Sequence, residues 1–225
     1  MADGAVPLRR AIGAQAPGPI GRNLFVLGGR SWKNSRVVST YATKAQQAAL
    51  LCERGQWSEA LTFAQRWQTE APAVAQALYY EGVALTGLGR YVAAETAYYR
   101  ALALDAQDFK TWNNLAALLF GPLKQPSEGA QCLAQGMQVD PGNKLGWTTL
   151  AGMHSQMGRY AQALSCAERA LALDPELAVA QLHRGRAAQA LKQPALVRAA
   201  CEALARLPPE KFTAATPGAA GGAQA

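Results

Sequence analysis

A unit of about 34 residues recurs along this chain of 225 residues and constrains its fold more than any other feature. After Trp147 the chain reads W-T-T-L-A, continues as M-G-R-Y-A-Q-A-L, and ends as A-L-A-L-D-P at residue 175. A similar order of small, aromatic and proline positions surrounds Trp112, and parts of it recur near Gly55 and Gly89. Because such a unit buries its apolar face against its neighbours, the pattern predicts a repeat array.

Each recurring position has a physical reason. Glycine suits the left-handed conformation that ends a helix, and proline stops the next helix because it lacks an N–H group. A small residue at the eighth position of each unit of about 34 residues lets two helices approach closely. The small residues are Ala48, Gly82, Ala116, Ala151 and Gly185; the glycines are Gly55, Gly89 and Gly158; the prolines are Pro72, Pro141, Pro175 and Pro209. Each unit is therefore predicted to form two helices joined by a tight turn.

The pattern resembles the tetratricopeptide repeat, which combines these positions in about 34 residues. The resemblance implies an all-α, right-handed α-solenoid of helix-turn-helix repeats. We place about five repeats, at 41–74, 75–108, 109–143, 144–177 and 178–211. Residues 1–40 are then a basic, acid-poor flexible segment, and residues 212–225 an Ala/Gly-rich disordered tail.

Some positions depart from the pattern. Ala106 stands where the second unit should carry proline, so we expect its second helix to run on into the third unit. The third unit has an extra residue in its turn, within residues 120–126. In the fifth unit, Gln181, Arg184 and Lys192 replace the Trp, Leu and Gly of the fourth. Terminal repeats are expected to be atypical because one face of each meets water.

The net charge of +7 is concentrated at the N-terminus. Residues 1–40 hold six basic residues and one acidic residue, whereas residues 41–225 hold 16 basic and 14 acidic residues. The candidate binding residues of this arm are Arg22, Phe25, Arg30, Trp32 and Lys33. Three interpretations stay open: a solubilising tail, a linear segment that orders on a partner or in the chain's own groove, or an anchor for nucleic acid or anionic lipid. The charges are not clustered, which argues against the anchor.

No catalytic constellation is found, so the chain is predicted not to be an enzyme, with no cofactor, metal or small-molecule substrate. His154 is expected to be a hydrogen-bonded core residue, and His183 to lie near a groove edge. The cysteines of the second helices are expected to act as small hydrophobes. These are Cys132, Cys166 and Cys201. Cys52 faces the expected groove and is the thiol to test for reactivity.

The resemblance implies that positions 2, 5, 9 and 12 of each unit line a concave groove. Asn113 could bond a peptide backbone, although the Asn113-Asn114 pair is equally consistent with ordinary repeat decoration. Ala45 and Ala49 stand where a chaperone-tail clamp would need Lys and Asn. The candidate partner-binding residues are Tyr79, Lys110, Asn113, Asn114, Thr148 and Arg186. The predicted function is a protein-interaction adaptor that holds a peptide or helix of a partner protein.

Two alternatives are retained. One is a structural subunit of a larger assembly, docking through the terminal helices and the basic segment, with homo-oligomerisation through the terminal helix as a variant. The other is an accessory protein that contacts nucleic acid or an anionic membrane through the basic arm. The absence of a signal-like apolar run predicts a cytoplasmic location, or an organellar one if residues 1–40 act as a transit segment.

Overall fold

The computed structural model describes the backbone of residues 35–208 and the side chains of residues 40–208. This part of the chain contains ten α-helices and no strand. The helices are α1 Ser35–Glu53, α2 Trp57–Glu70, α3 Ala75–Gly87, α4 Tyr91–Leu104, α5 Phe109–Phe120, α6 Pro126–Val139, α7 Lys144–Gln156, α8 Tyr160–Leu173, α9 Ala178–Ala190 and α10 Pro194–Ala205. None of them is both long and apolar enough to cross a lipid bilayer.

The helices belong to two compact units, with the boundary after Leu118. In unit 1, α3 packs on α1, α2 and α4, and α1 also packs on α2. In unit 2, α7 packs on α6, α8 and α9, while α9 also packs on α8 and α10. Within each unit, the consecutive helices named here therefore lie side by side as hairpins. The prediction of an all-α repeat fold is confirmed.

The turns inside the hairpins follow the predicted chemistry. Gly55, Gly89 and Gly158 have φ angles of +70°, +71° and +72°, in the left-handed region where a side chain is disfavoured. Lys192 has φ +57° at the place that glycine holds in other hairpins. Its turn closes with the same backbone bond as the others, from the amide of Gln193 to the carbonyl of Ala188 at 2.9 Å. The turn geometry is thus kept without glycine, at a conformational cost of about 1 kcal/mol.

The expectation that the helix preceding Ala106 runs on into the next unit is wrong. Helix α4 ends at Leu104, and Asp105 leaves helical geometry with φ −141°. The Asp105 carboxylate accepts the amide of Gln107 at 3.0 Å, which stabilises the turn. Asp108 then accepts the amide of Lys110 at 3.2 Å as α5 begins. Two aspartates therefore separate the helices where no proline does so.

The fourth residue of three units ties its helix to the preceding turn. In each case a side-chain N–H group donates to the backbone carbonyl six residues earlier. The pairs are Trp112 Nε1 to Ala106 O at 2.9 Å, Trp147 Nε1 to Pro141 O at 2.9 Å, and Gln181 Nε2 to Pro175 O at 3.0 Å. Gln181 of the degenerate fifth unit therefore keeps the hydrogen bond that tryptophan makes in the third and fourth units. Its side chain is smaller than an indole and covers less apolar surface.

Helix approach in unit 1 depends on glycine at two places. A methyl group built on Gly82 would lie 2.6 Å from Cε1 of Tyr98, whose ring is buried. A methyl group on Gly87 would lie 2.2 Å from Cδ2 of Trp57. Both distances are far below a carbon–carbon contact distance. The missing side chains therefore make room for aromatic rings of the neighbouring helices.

Two expectations for individual side chains are wrong. Cys201 is exposed on α10, where Ala200 is the buried residue, so it does not act as a core hydrophobe. His154 is half-buried, but its Nδ1 atom is buried without a hydrogen-bond partner. The local register placed both residues correctly on their helices, whereas their exposure and bonding depend on tertiary neighbours.

Candidate partner-binding surfaces

Polar and aromatic side chains of three helices meet in unit 1. The amide Nδ2 of Asn114 on α5 donates to the phenol oxygen of Tyr79 on α3 at 3.1 Å. The ring of Tyr79 meets that of Tyr80 edge to face, with centroids 5.0 Å apart. Cys52 and Asp108 lie close enough to influence both phenols. We call these five half-buried residues the tyrosine patch.

The phenols of the tyrosine patch are uncharged near pH 7. Burial, with a further contribution from the nearby Tyr80, raises the pKa of Tyr79 to about 12, while the hydrogen bond from Asn114 acts in the opposite direction. Burial, followed by the influence of Cys52, also raises the pKa of Tyr80. Both hydroxyl groups therefore keep their protons and can act as donors.

The thiol of Cys52 is not activated by this environment. Burial, followed by the negative charge of Glu53, raises its pKa above the ordinary value. Since the thiolate is the nucleophilic form, a raised pKa lowers reactivity at neutral pH. Cys52 therefore acts in the tyrosine patch as a small, weakly polar side chain.

A second surface lies in unit 2, between the end of α7, the start of α8 and the second half of α9. It is an open depression of about 400 Å³, which we call the Arg186 basin. Its lining residues are Ser155, Gln156, Tyr160, Arg186, Gln189 and Ala190. The hydroxyl oxygen of Ser155 is buried there without a hydrogen-bond partner.

His183 stands beside the Arg186 basin and marks the close approach of α7 and α9. A methyl group on Gly152 would lie 3.3 Å from Cε1 and Nε2 of the His183 ring. Burial, followed by the positive charge of Arg186, lowers the pKa of His183. Since burial and a neighbouring cation both disfavour the imidazolium, the ring is neutral at pH 7.

Comparisons with known proteins agree with the repeat register. The family model described as tetratricopeptide repeat matches residues 145–177, which contain α8 and nearly all of α7. The match covers one repeat, the fourth of those predicted from the sequence. No curated protein sequence matches the chain.

Solved tetratricopeptide repeat structures share its fold. MamA from Desulfovibrio magneticus RS-1 is 21% identical, with a TM-score of 0.60 over 77% of this chain and 98% of that one. PilF from Pseudomonas aeruginosa is 21% identical, with a TM-score of 0.64 over 73% of this chain and 75% of that one. YrrB, described as a TPR protein with an unusual peptide-binding site, is 18% identical, with a TM-score of 0.62 over 76% and 88%. At these identities the likeness establishes the fold alone.

The structure brings some of the candidate binding residues together within a unit. Tyr79 and Asn114 are hydrogen-bonded, and α5 also carries the exposed Lys110 and the half-buried Asn113. Thr148 of unit 2 is 6% exposed, and its hydroxyl group donates to the carbonyl of Lys144 at 2.8 Å. Thr148 therefore offers a partner little surface.

Two tyrosines of these surfaces were not among the candidates predicted from the sequence. Tyr160, which was not a sequence-derived candidate, is 38% exposed and lines the Arg186 basin. Tyr80 was not selected because it sits one position beyond the predicted groove register.

The arm residues lie outside the described residues; they are Arg22, Phe25, Arg30, Trp32 and Lys33. Within residues 40–208, no cluster of three or more His, Cys, Asp or Glu side chains is suited to hold a metal ion.

Proposed function

We propose that this chain is a non-catalytic adaptor that holds a peptide segment of a partner protein against the tyrosine patch. The observation that carries the proposal is the hydrogen bond between Asn114 and Tyr79, which joins α3 to α5 on a partly exposed surface. The bond fixes two side chains whose remaining polar groups can serve a ligand. Such preorganisation reduces the entropy that binding must overcome.

The patch matches the chemistry of a peptide backbone. The phenol of Tyr79 accepts from Asn114 and keeps its own proton to donate to a peptide carbonyl, while the amide oxygen of Asn114 can accept a peptide N–H. The rings of Tyr79 and Tyr80 supply an apolar wall, with little side-chain freedom to lose. The description of YrrB as a peptide-binding TPR protein supports a function of this class.

Lys110 and Asn113 extend the proposed contact along α5. Lys110 is exposed, and its ammonium group would suit an acidic side chain of the bound segment. Asn113 offers a second amide beside the patch. These contacts would add selectivity around the backbone bonds that Tyr79 and Asn114 form.

Replacing Tyr79 by Ala is expected to weaken partner binding at least tenfold, because a buried tyrosine at the centre of an interface commonly contributes more than about 1.4 kcal/mol. Partners would be recovered by affinity purification with the full chain. Their dissociation constants would then be measured for the wild type and the variant by biolayer interferometry.

Tyr91→Ala serves as the matched control. Tyr91 is an exposed tyrosine of the same unit that begins α4 and lies outside the patch, so its replacement should change affinity by less than twofold. Equal affinities of the wild type and Tyr79→Ala would refute binding at the patch. Loss of binding on deletion of residues 1–34, with a steep salt dependence, would instead support the basic arm as the contact.

A further inference from the structure

The charge around the tyrosine patch is negative. Asp108 belongs to the patch, and the exposed Glu53 follows Cys52 at the end of α1. Beyond burial and the neighbouring phenol and thiol groups, the charged residues that raise the pKa of the two phenols are Asp108, which acts on both, and Glu53, which acts on Tyr80. Asp108 accepts two hydrogen bonds at the start of α5, and its oxygens keep further lone pairs. A cationic group is therefore favoured beside the patch.

The tyrosine rings suit the same kind of ligand. A guanidinium group stacks favourably on an aromatic ring, and a second aromatic ring packs against its edge or face. Tyr79 and Tyr80 meet edge to face with centroids 5.0 Å apart, and both are half-buried, so part of each ring is open to a ligand. The patch therefore fits a short segment that carries an arginine and an aromatic residue close together.

This chain contains such a segment in its basic arm. Residues 1–34 precede α1, and their structure lies outside the described residues. They include Arg22 and Phe25, and no acidic residue occurs between Asp3 and Glu53. In the described part of unit 1, residues 40–118 hold six basic and seven acidic residues, whereas residues 119–208 of unit 2 hold nine and six. Charge therefore attracts this segment to unit 1 rather than to unit 2.

The reach of the chain decides which residues of the segment can meet the patch. Helix α1 begins at Ser35, and Cys52 lies seventeen residues later, about 26 Å along the helix axis. The ten residues from Phe25 to Ser35 span about 33 Å when extended, so Phe25 and Arg22 can return to the patch. Trp32 is three residues from Ser35 and reaches only about 10 Å, so it cannot.

One face of α1 leads from the start of the helix toward the patch. Ala45, Ala49 and Cys52 follow one another at helical spacing on that face, and all three are half-buried. Because these side chains are small, a segment that runs back along α1 can lie close to the helix.

We propose that residues 20–27 of this chain fold back onto its own tyrosine patch. Arg22 lies beside the carboxylates of Glu53 and Asp108, and Phe25 packs on the tyrosine rings. A segment tethered this closely acts at a concentration of about 1 mM or more, so a weak contact is enough to keep it bound. A partner peptide must then displace it; this consequence rests on the proposed function, whereas the contact itself does not.

Site-specific photocrosslinking of the full chain tests the contact. Phe25→p-benzoylphenylalanine places a photoreactive group at the proposed contact, and Trp32→p-benzoylphenylalanine is the control that cannot reach the patch. After irradiation of a dilute sample, the monomer is digested and its crosslinks are identified by mass spectrometry. The probe at position 25 should crosslink to residues 49–53 of α1 or 76–83 of α3, and the probe at position 32 should not.

Neutralising the two carboxylates tests the role of charge. Glu53→Gln combined with Asp108→Asn keeps side chains of similar size and should lower the yield of the position-25 crosslink at least about threefold. The matched control combines Glu59→Gln with Glu168→Gln, which removes the same charge from exposed sites on α2 and α8 outside the patch and should leave the yield unchanged. An equal yield after neutralisation, or position-25 crosslinks only to unit 2 or to a second chain, would overturn the proposal.

Partner binding provides a separate readout. Where Tyr79→Ala weakens partner binding, Arg22→Gln combined with Phe25→Ala should tighten binding to the intact patch about threefold, because the competing segment is lost. Unchanged affinity there would refute the competition. The crosslink needs no partner, so its absence would refute the contact and leave the proposed function to the Tyr79→Ala test.

Discussion

Replacing Trp67 by Ala is expected to lower the free energy of unfolding of unit 1 by about 3–5 kcal/mol. The indole of Trp67 is 1% exposed and lies against the rings of Tyr41 and Phe63, with centroid distances of 6.3 and 6.5 Å. Its removal would lose apolar contact and leave a cavity between α1 and α2 that the helices cannot fully close. Urea unfolding followed by circular dichroism at 222 nm would measure the loss.

Trp67→Phe is the control for this prediction. The Nε1 atom of Trp67 is buried without a hydrogen-bond partner, so phenylalanine removes an unsatisfied donor while it keeps an aromatic ring in place. The cost should therefore be about 1 kcal/mol, well below that of the alanine variant. An alanine variant as stable as the wild type would contradict the placement of this tryptophan in the core.

Replacing Gly82 by Ala is expected to lower the free energy of unfolding by about 2 kcal/mol. The added methyl group would lie 2.6 Å from Cε1 and 2.7 Å from Cδ1 of Tyr98, and that ring is 2% exposed and has no open space to enter. The higher helix propensity of alanine, worth about 1 kcal/mol, offsets only part of the strain. Urea unfolding would again report the difference.

Gly185→Ala provides the comparison, because Gly185 holds the same repeat position within a helix of unit 2. There the methyl group would lie 3.3 Å from Cβ of Ala200, and α10 is the last described helix and packs on α9. A small outward shift of α10 relieves the contact, so the variant should differ from the wild type by less than about 0.5 kcal/mol. In the Tyr98→Leu background, Gly82→Ala should lose most of its cost. An equal cost in both backgrounds would refute the packing argument.

The repeat positions could be predicted from sequence because each has a local or short-range cause. A positive φ angle favours glycine, so the recurrence of Gly55, Gly89 and Gly158 is enough to locate the turns. The small eighth position identifies Gly82 as a point of helix approach, and the structure supplies the ring of Tyr98 as the reason. Both requirements, a positive φ angle and a close approach of two helix backbones, restrict the residue type at one position, so the sequence pattern reveals them.

Departures from the pattern could not be resolved in the same way. Gln181 looked like a loss of the repeat tryptophan, yet its amide makes the same bond to a carbonyl six residues earlier. Lys192 looked like a loss of the turn glycine, yet the backbone there is still left-handed. The sequence pattern compares residue types. The fold needs only a hydrogen-bond donor at position 181 and a residue that tolerates a positive φ angle at position 192.

The sequence predicted only some of the residues that form the candidate surfaces. The register selected Tyr79 and Arg186, and Asn114 was a candidate as the neighbour of the register residue Asn113. The structure adds that Tyr79 and Asn114 are hydrogen-bonded. The register also selected Thr148, whose burial depends on neighbouring helices rather than on its own repeat position. Tyr160 belongs to the Arg186 basin because the turn after α7 brings the start of α8 toward α9. Such long-range juxtapositions are set by tertiary packing and leave no periodic signal.

Hydrogen–deuterium exchange of the full chain, with and without the recovered partner, shows whether a partner peptide lies on the tyrosine patch. We expect slower exchange on binding in α3 and in residues 109–118 of α5, with α4 unchanged. Slower exchange confined to residues 1–34 or to α10, with α3 and α5 unaffected, would contradict it.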